Sequence, residues 1–284
     1  MDRLFKPSVL VQILEEFGFR FTKSLGQNFL IDGNIVRRIA DGAGVEEGSN
    51  VLEIGPGVGT LTEELLLRGA NVLAVEIDKN LVDIHKKTLN YGRVKIIYED
   101  FLKLDTEEIK SYLKGPIKVV ANLPYYVTTP IITKILESDL DVESITVMVQ
   151  KEVANRFAAE TGTKDYGSLS VFINYYAEPK YLFSVPKSVF MPKPNVDSAV
   201  VKLEIKKHRE DIDKDKLFKV VRGAFSKRRK TILNALSTYG YKNITKTEIA
   251  ETLKISGIDP NRRGETLSPE EFMVLSINFP KIED

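Results

Sequence analysis

Asn122-Leu123-Pro124-Tyr125 closes an apolar run, Val119 to Ala121, that reads as a buried strand. An amide, a rigid turn and an aromatic ring at a strand end suit two purposes. The ordinary one is a turn, since Asn and Pro are common turn residues and Tyr a common rim residue. The other is a grip on a flat ring that bears an amine. The Asn122 side-chain oxygen and the Leu123 carbonyl could each accept a hydrogen bond from an exocyclic NH₂. Pro124 would fix the carbonyl's direction, and Tyr125 could stack on the ring face. Such an amine is a poor nucleophile because its lone pair is spread into the ring. Two acceptors favour its pyramidal, reactive form. It sheds its proton readily once alkylated, so the chemistry needs no charged base and rests on positioning and fixed dipoles.

Other chemistries have little to work with. The chain has no cysteine, which excludes disulfides, thiolate nucleophiles and cysteine-ligated zinc. Its two histidines, His85 and His208, are far apart, so a histidine-rich metal site or a Ser-His-Asp triad is not expected, and no metal is. His85, in LVDIHKKTL, reads as a residue on a wet helix face.

A second constellation lies upstream. In LEIGPGVGT, Gly55, Gly57 and Gly59 follow a strand and open a helix, so the backbone can approach a ligand at a helix N-terminus. The dinucleotide fingerprint G-x-G-x-x-G fails, because its last glycine falls on Thr60. Glu53, just before the loop, is awkward beside a pyrophosphate and suits a cation. Glu76 lies 21 positions after Gly55, where an acid grips ribose hydroxyls, with Ile77 next to it. Asp100 and Phe101 could hold and cover an adenine. Acids at three successive strand ends, behind a glycine loop, fit S-adenosylmethionine, which carries adenosine and positive charge but no phosphate. A dinucleotide is the alternative.

These groups must be placed by alternating elements. Strand patterns at 50–55, 71–77, 94–100, 117–123 and 144–150 alternate with helix patterns at 60–69, 79–92, 106–114, 129–138 and 152–160. That alternation predicts an α/β, doubly wound, mostly parallel sheet covered on both faces. Residues 32–44 read as a covering helix, 168–185 as a helix then a strand, and 186–198, with its prolines, as a loop. With a final strand at 199–205, this part predicts a strand hairpin added to the sheet edge. Four helical patterns and no strand follow residue 206. The expected division is a cofactor-binding domain over 1–206 and a small all-helical domain over 207–284, joined at a mixed-charge run.

Three segments, KSLGQNFLID (23–32), NLPYYVTTPII (122–132) and VFMPKPNVDSAVVKL (189–203), together resemble the ribosomal RNA adenine dimethyltransferase family, as does RRGETLSPEEF (262–272). NLPY is similar to the Asn-Pro-Pro-Tyr motif of adenine amino-methyltransferases, with Leu123 replacing the first proline. The resemblance covers nearly the whole chain. It implies cofactor contacts from Asn28, Leu30, Gly55, Glu76, Asp100 and Asn122, and places Phe190 opposite Tyr125 across a target base. It also implies that the substrate is a pair of adjacent adenosines near the 3′ end of small-subunit ribosomal RNA, with a role in small-subunit biogenesis. Gly264 departs from the usual alanine and is expected to loosen a helix start; Asn174 departs from glutamine. Related enzymes methylate large-subunit RNA or DNA, and a binding factor that keeps the fold without catalysis is a further alternative.

A formal net charge of +1 makes the whole molecule no general nucleic-acid binder, so RNA contacts would be local. SKRRK supplies Lys227, Arg228, Arg229 and Lys230, with Arg222 a turn earlier. It reads equally as a solvated helix face or a phosphate-binding strip. No apolar run of about 18 residues spans a membrane. The N-terminus lacks a continuous apolar core and cleavage site, so a cytoplasmic protein is expected; its oligomeric state is not legible in the sequence, and a monomer is the default.

Overall fold

The computed structural model describes residues 3–207 and 211–283. His208 lies outside them. The chain begins with α1 (Pro7–Glu16), a two-residue strand β1 (Phe29–Leu30) and α2 (Gly33–Ala43). There follow β2 (Asn50–Ile54), α3 (Thr60–Leu67), β3 (Asn71–Val75), α4 (Val82–Thr88), β4 (Val94–Ile97) and α5 (Thr106–Tyr112). Next come β5 (Ile117–Asn122), α6 (Thr128–Glu137), β6 (Val142–Gln150), α7 (Lys151–Phe157), α8 (Ser168–Tyr176), β7 (Ala177–Val185), β8 (Phe190–Met191) and β9 (Ser198–Ile205). The chain ends with α9 (Lys214–Phe225), α10 (Ile232–Ser237), α11 (Lys246–Ile255) and α12 (Pro269–Asn278).

Seven strands form one sheet in the order β4-β3-β2-β5-β6-β9-β7. From β4 to β6 the pairs are parallel, and β9 runs antiparallel to β6. Val51, Leu52, Val72, Leu73, Val119 and Val120 are fully buried, as strands covered on both faces require. The winding reverses between β2 and β5. A crevice therefore opens beyond their carboxyl ends, where the glycine loop and Asn122 lie. Helix α2 covers the sheet as expected. Asp32 caps it by accepting from the Asn34 and Ile35 N–H groups, and Gly44 ends it at φ +63°.

Several expectations need correction. The strand read as 94–100 stops at Ile97. Asp100 bends the chain there, its Oδ1 accepting from the Leu102 N–H and its carbonyl from Lys103 and Leu104. The proline-rich loop contains β8, which pairs antiparallel with β1 and sets Leu30 opposite Phe190. His85 is not on a wet face: with Leu81, Ile84 and Thr88 it forms the buried side of its helical segment. SKRRK is a turn between α9 and α10 and not a helix face. The added hairpin does appear, as β9 and β7 at the sheet edge.

The chain forms two compact units, Met1–Ala154 with Lys180–Ile205, and Asn155–Pro179 with Lys206–Asp284. The second takes in 155–179, which the sequence reading assigned to the first. Aromatic packing explains this: Phe172 and Tyr175 of α8 lie 5.0 and 5.5 Å from the Phe218 ring of α9. No strand occurs after β9 among the described residues. Thr245 with Glu248 and Ser268 with Glu271 form capping boxes that start α11 and α12. Gly264 begins a 3₁₀ turn against the Ala224 carbonyl, which a Cβ would approach to 2.9 Å, so close backbone approach accounts for the missing side chain.

Candidate active site

The crevice at the switch point is a cleft open to solvent beyond the carboxyl ends of β2 and β5. Its lining includes Asn28, Leu30, Glu53, Gly55, Gly57, Glu76, Ile77, Asn122, Leu123, Pro124 and Tyr125, which sequence reasoning had singled out. Asp100, Phe101 and Phe190 do not line it. Phe101 is buried with its ring 5.3 Å from Lys134 Nζ, and Phe190 is a core side chain at 4% exposure.

Asn122 ends β5 with its amide held in one orientation. Its Nδ2 donates to the Asn28 carbonyl at 3.1 Å. A carbonyl can only accept, so the nitrogen must face Asn28 and Oδ1 must face away. The Leu123 N–H donates to the Met148 carbonyl on β6 at 3.1 Å. Among the described residues nothing donates to Asn122 Oδ1 or the Leu123 carbonyl, so consecutive residues at the strand end each keep an open acceptor. The Pro124 carbonyl accepts from the Val127 N–H and the Thr128 hydroxyl, which locks the turn onto α6. The Tyr125 hydroxyl bonds to Ser198 Oγ at 2.7 Å, so its ring is tied from β9.

The opposite wall is acidic. Glu53 is 1% exposed and its Oε2 has no partner among the described residues. Burial, aided by the neighbouring Glu76 charge, pushes its carboxyl up to about 8. Glu76 accepts from the Gly57 N–H at 3.1 Å and from the Asp78 N–H at 2.8 Å, yet burial still pushes it up to about 7. Among the described residues, the lining carries no Lys, Arg or His. A pyrophosphate would meet carboxyl groups and no cation, which disfavours the dinucleotide alternative. A cationic ligand fits: the orphaned Glu53 and Thr60 side-chain oxygens both lie in the lining and await a donor.

Two contributors were missed. Gln27 donates to Asp78 Oδ2 at 2.6 Å and accepts from the Thr22 N–H, tying the 22–28 segment to the end of β3. His85 Nε2 lies 2.5 Å from the Gly57 carbonyl, and its Nδ1 lies 2.9 Å from the Tyr98 hydroxyl. Burial holds its pKa below the usual value. Only the spacing of His85 with Ile84 and Thr88 could have signalled this, and the flanking charges Asp83, Lys86 and Lys87 mask it.

The family described as ribosomal RNA adenine dimethylase matches residues 18–280. A ribosomal RNA small subunit methyltransferase A of Alkaliphilus oremlandii is 51% identical over 290 residues, covering 99% of each chain. One of Clostridioides difficile is 49% identical over 281 residues, covering 97% of this chain and 96% of its own. Among solved structures, a dimethyladenosine transferase of Plasmodium falciparum is 26% identical with a TM-score of 0.73, covering 87% of this chain and 95% of that one. The 23S rRNA methyltransferase ErmE is 25% identical with a TM-score of 0.68, covering 89% of this chain and 99% of that one.

Proposed function

The chain belongs to the ribosomal RNA adenine dimethylase family, and from that premise we propose that it dimethylates two adjacent adenosines near the 3′ end of small-subunit ribosomal RNA. It is an S-adenosylmethionine-dependent ribosomal RNA adenine dimethyltransferase. The small ribosomal subunit as partner, a role in its biogenesis, action in the cytoplasm and a monomeric state belong to the proposal. Among the described residues no helix is long and apolar enough to cross a membrane.

The cofactor, when bound, supplies the methyl group. This chain's residues do the rest. Glu76 would take the ribose hydroxyls, the buried Glu53 carboxyl would face positive charge, and the glycine loop would admit the ligand's backbone-close parts. Asp100, at the end of the β4 turn, and Phe101 beside it are assigned to the adenine end. Neither lines the cleft; the resemblance supports Asp100 there, and the place of Phe101 directly after it supports Phe101. At the other side, Asn122 Oδ1 and the Leu123 carbonyl would accept both hydrogens of the target amine and bring its lone pair out of conjugation. Tyr125 would stack on the base, with Phe190 assigned to its far side on the resemblance alone. The released proton goes to solvent. Contributions of this kind are worth about a hundred- to a thousandfold in rate.

The observation that carries the reading is the fixed Asn122 amide, whose Nδ2 is held by the Asn28 carbonyl and whose oxygen is left to accept. Asn122→Ala is expected to lower single-turnover methylation of under-methylated small subunits at least about a hundredfold, with little change in melting temperature. Normal turnover in a folded variant sinks the mechanism. Mass-spectrometric mapping decides the substrate, since label in large-subunit RNA or DNA, and none in the small subunit, discards the small-subunit assignment.

A further inference from the structure

The glycine loop is braced on the side of α4 by groups the reading above does not use. The Gly57 peptide is bonded at both ends, its N–H to Glu76 Oε2 and its carbonyl to His85 Nε2. The Thr88 hydroxyl, three residues after His85 on the same helix face, donates chiefly to the Ile84 carbonyl at 2.9 Å and lies 3.3 Å from the next loop carbonyl, Val58. On its other side Gly57 presses against Phe29, whose ring would lie 2.9 Å from a Cβ placed there. The loop is thus confined between an aromatic ring and α4.

The imidazole's hydrogen bonding follows from its partners. The Gly57 carbonyl can only accept, so Nε2 carries the proton and Nδ1 accepts from the Tyr98 hydroxyl. Tyr98 directly follows β4 and stands two residues before Asp100. One chain of hydrogen bonds therefore runs from the end of β4, through His85, to the peptide of the glycine loop. Neither side chain is among the cleft's lining residues, and His85 is buried against the loop.

We propose that His85 and Tyr98 are positioning residues for the cofactor, fixing the Gly57 peptide in the orientation that an adenosine-bearing sulfonium amino acid requires. The pair acts through the loop. What matters at residue 85 is a donor at the Nε2 position, and at residue 98 a hydroxyl that selects the tautomer. This inference rests on the cofactor reading above.

The test is calorimetric titration of S-adenosylmethionine into the parent protein, His85→Leu, His85→Gln and Tyr98→Phe, with melting temperatures measured alongside. His85→Leu keeps apolar bulk and loses the donor, and its Kd is expected to rise about tenfold, as for one buried hydrogen bond. His85→Gln places an amide N–H near the same point and is expected to recover to within about threefold of the parent. Tyr98→Phe removes one hydroxyl and is expected to weaken binding about two- to fivefold. In methylation assays the KM for the cofactor should rise with Kd, by more than kcat falls. A folded His85→Leu that binds within twofold of the parent overturns the proposal. So does a Gln variant as weak as the Leu variant, which would make the ring's packing the cause. If His85→Leu unfolds, Tyr98→Phe decides, and an unchanged Kd there overturns the proposal. A parent that fails to bind the cofactor overturns the cofactor reading itself, and this inference with it.

Discussion

Glu53, next to last in β2, is a carboxyl buried beside another carboxyl, and its proton is therefore held far above the ordinary value of 4.5, up to about 8. Between those two values the folded protein binds a proton that the unfolded chain has released. Stability without cofactor must then fall as pH rises from about 4.5 to about 8, on the order of a few kcal/mol from this group. Glu76, at about 7, acts in the same direction over a narrower window. Glu53→Gln cannot titrate, so its melting temperature should decline less from pH 5 to pH 8.5 than the parent's; parallel curves would remove Glu53 as the source. At this scale the sequence was informative where a side chain's role follows from its place at a strand end, as for Asn122, Glu53 and Glu76. It misled for His85, because charged neighbours in sequence say nothing of which helix face a seven-residue element buries. It was also silent on Asn122's amide orientation, which a carbonyl ninety-four residues away determines.

In the strand–loop–helix element around Gly55, Gly57 and Gly59, the three glycines share a backbone conformation and differ in what surrounds them. All three have positive φ, +70°, +59° and +92°. Their surroundings differ. A Cβ on Gly59 would meet Leu89 at 2.7 Å, whereas one on Gly55 would meet no protein atom within 4 Å. Gly55 lines the cleft, so its extra methyl would occupy ligand space. Gly55→Ala should therefore cost about 1–2 kcal/mol in backbone strain but weaken S-adenosylmethionine binding at least about tenfold. Gly59→Ala should mainly lower stability, by about 1–3 kcal/mol, through crowding against α4. Melting and titration of both variants check this, and the idea fails if the two lose binding and stability in the same proportion. The longer elements were legible because Val- and Ile-rich runs and glycine stops mark them. The two-residue ladder of β1 with β8 was not, since a pair that short has no periodicity and is made by chain segments 160 residues apart.

At the scale of the whole molecule, a net charge of +1 supplies no general attraction for RNA, so recognition of ribosomal RNA must come from local groups. The basic turn after α9 is the strongest such run, and its residues are not equivalent. Arg228 donates through Nε to Glu265 at 3.0 Å and through Nη2 to the Lys164 carbonyl, so it ties the second unit together. Lys227, Arg229 and Lys230 are exposed and make no ion pair among the described residues, and Arg222 is exposed on the last turn of α9. If the exposed three bind phosphate, each lost contact should flatten the dependence of log affinity on log salt by about one unit. Replacing all three by alanine is then expected to weaken binding to under-methylated small subunits most at low salt, while the Kd for S-adenosylmethionine stays unchanged. Arg228→Ala should leave the salt slope alone and lower stability by no more than about 1 kcal/mol, the usual worth of an exposed ion pair. Filter binding across a salt series separates the two groups. A slope that falls equally for Arg228→Ala would make the turn one continuous contact, and a slope that moves for neither would take RNA recognition away from this turn and leave it to other surfaces of the two units.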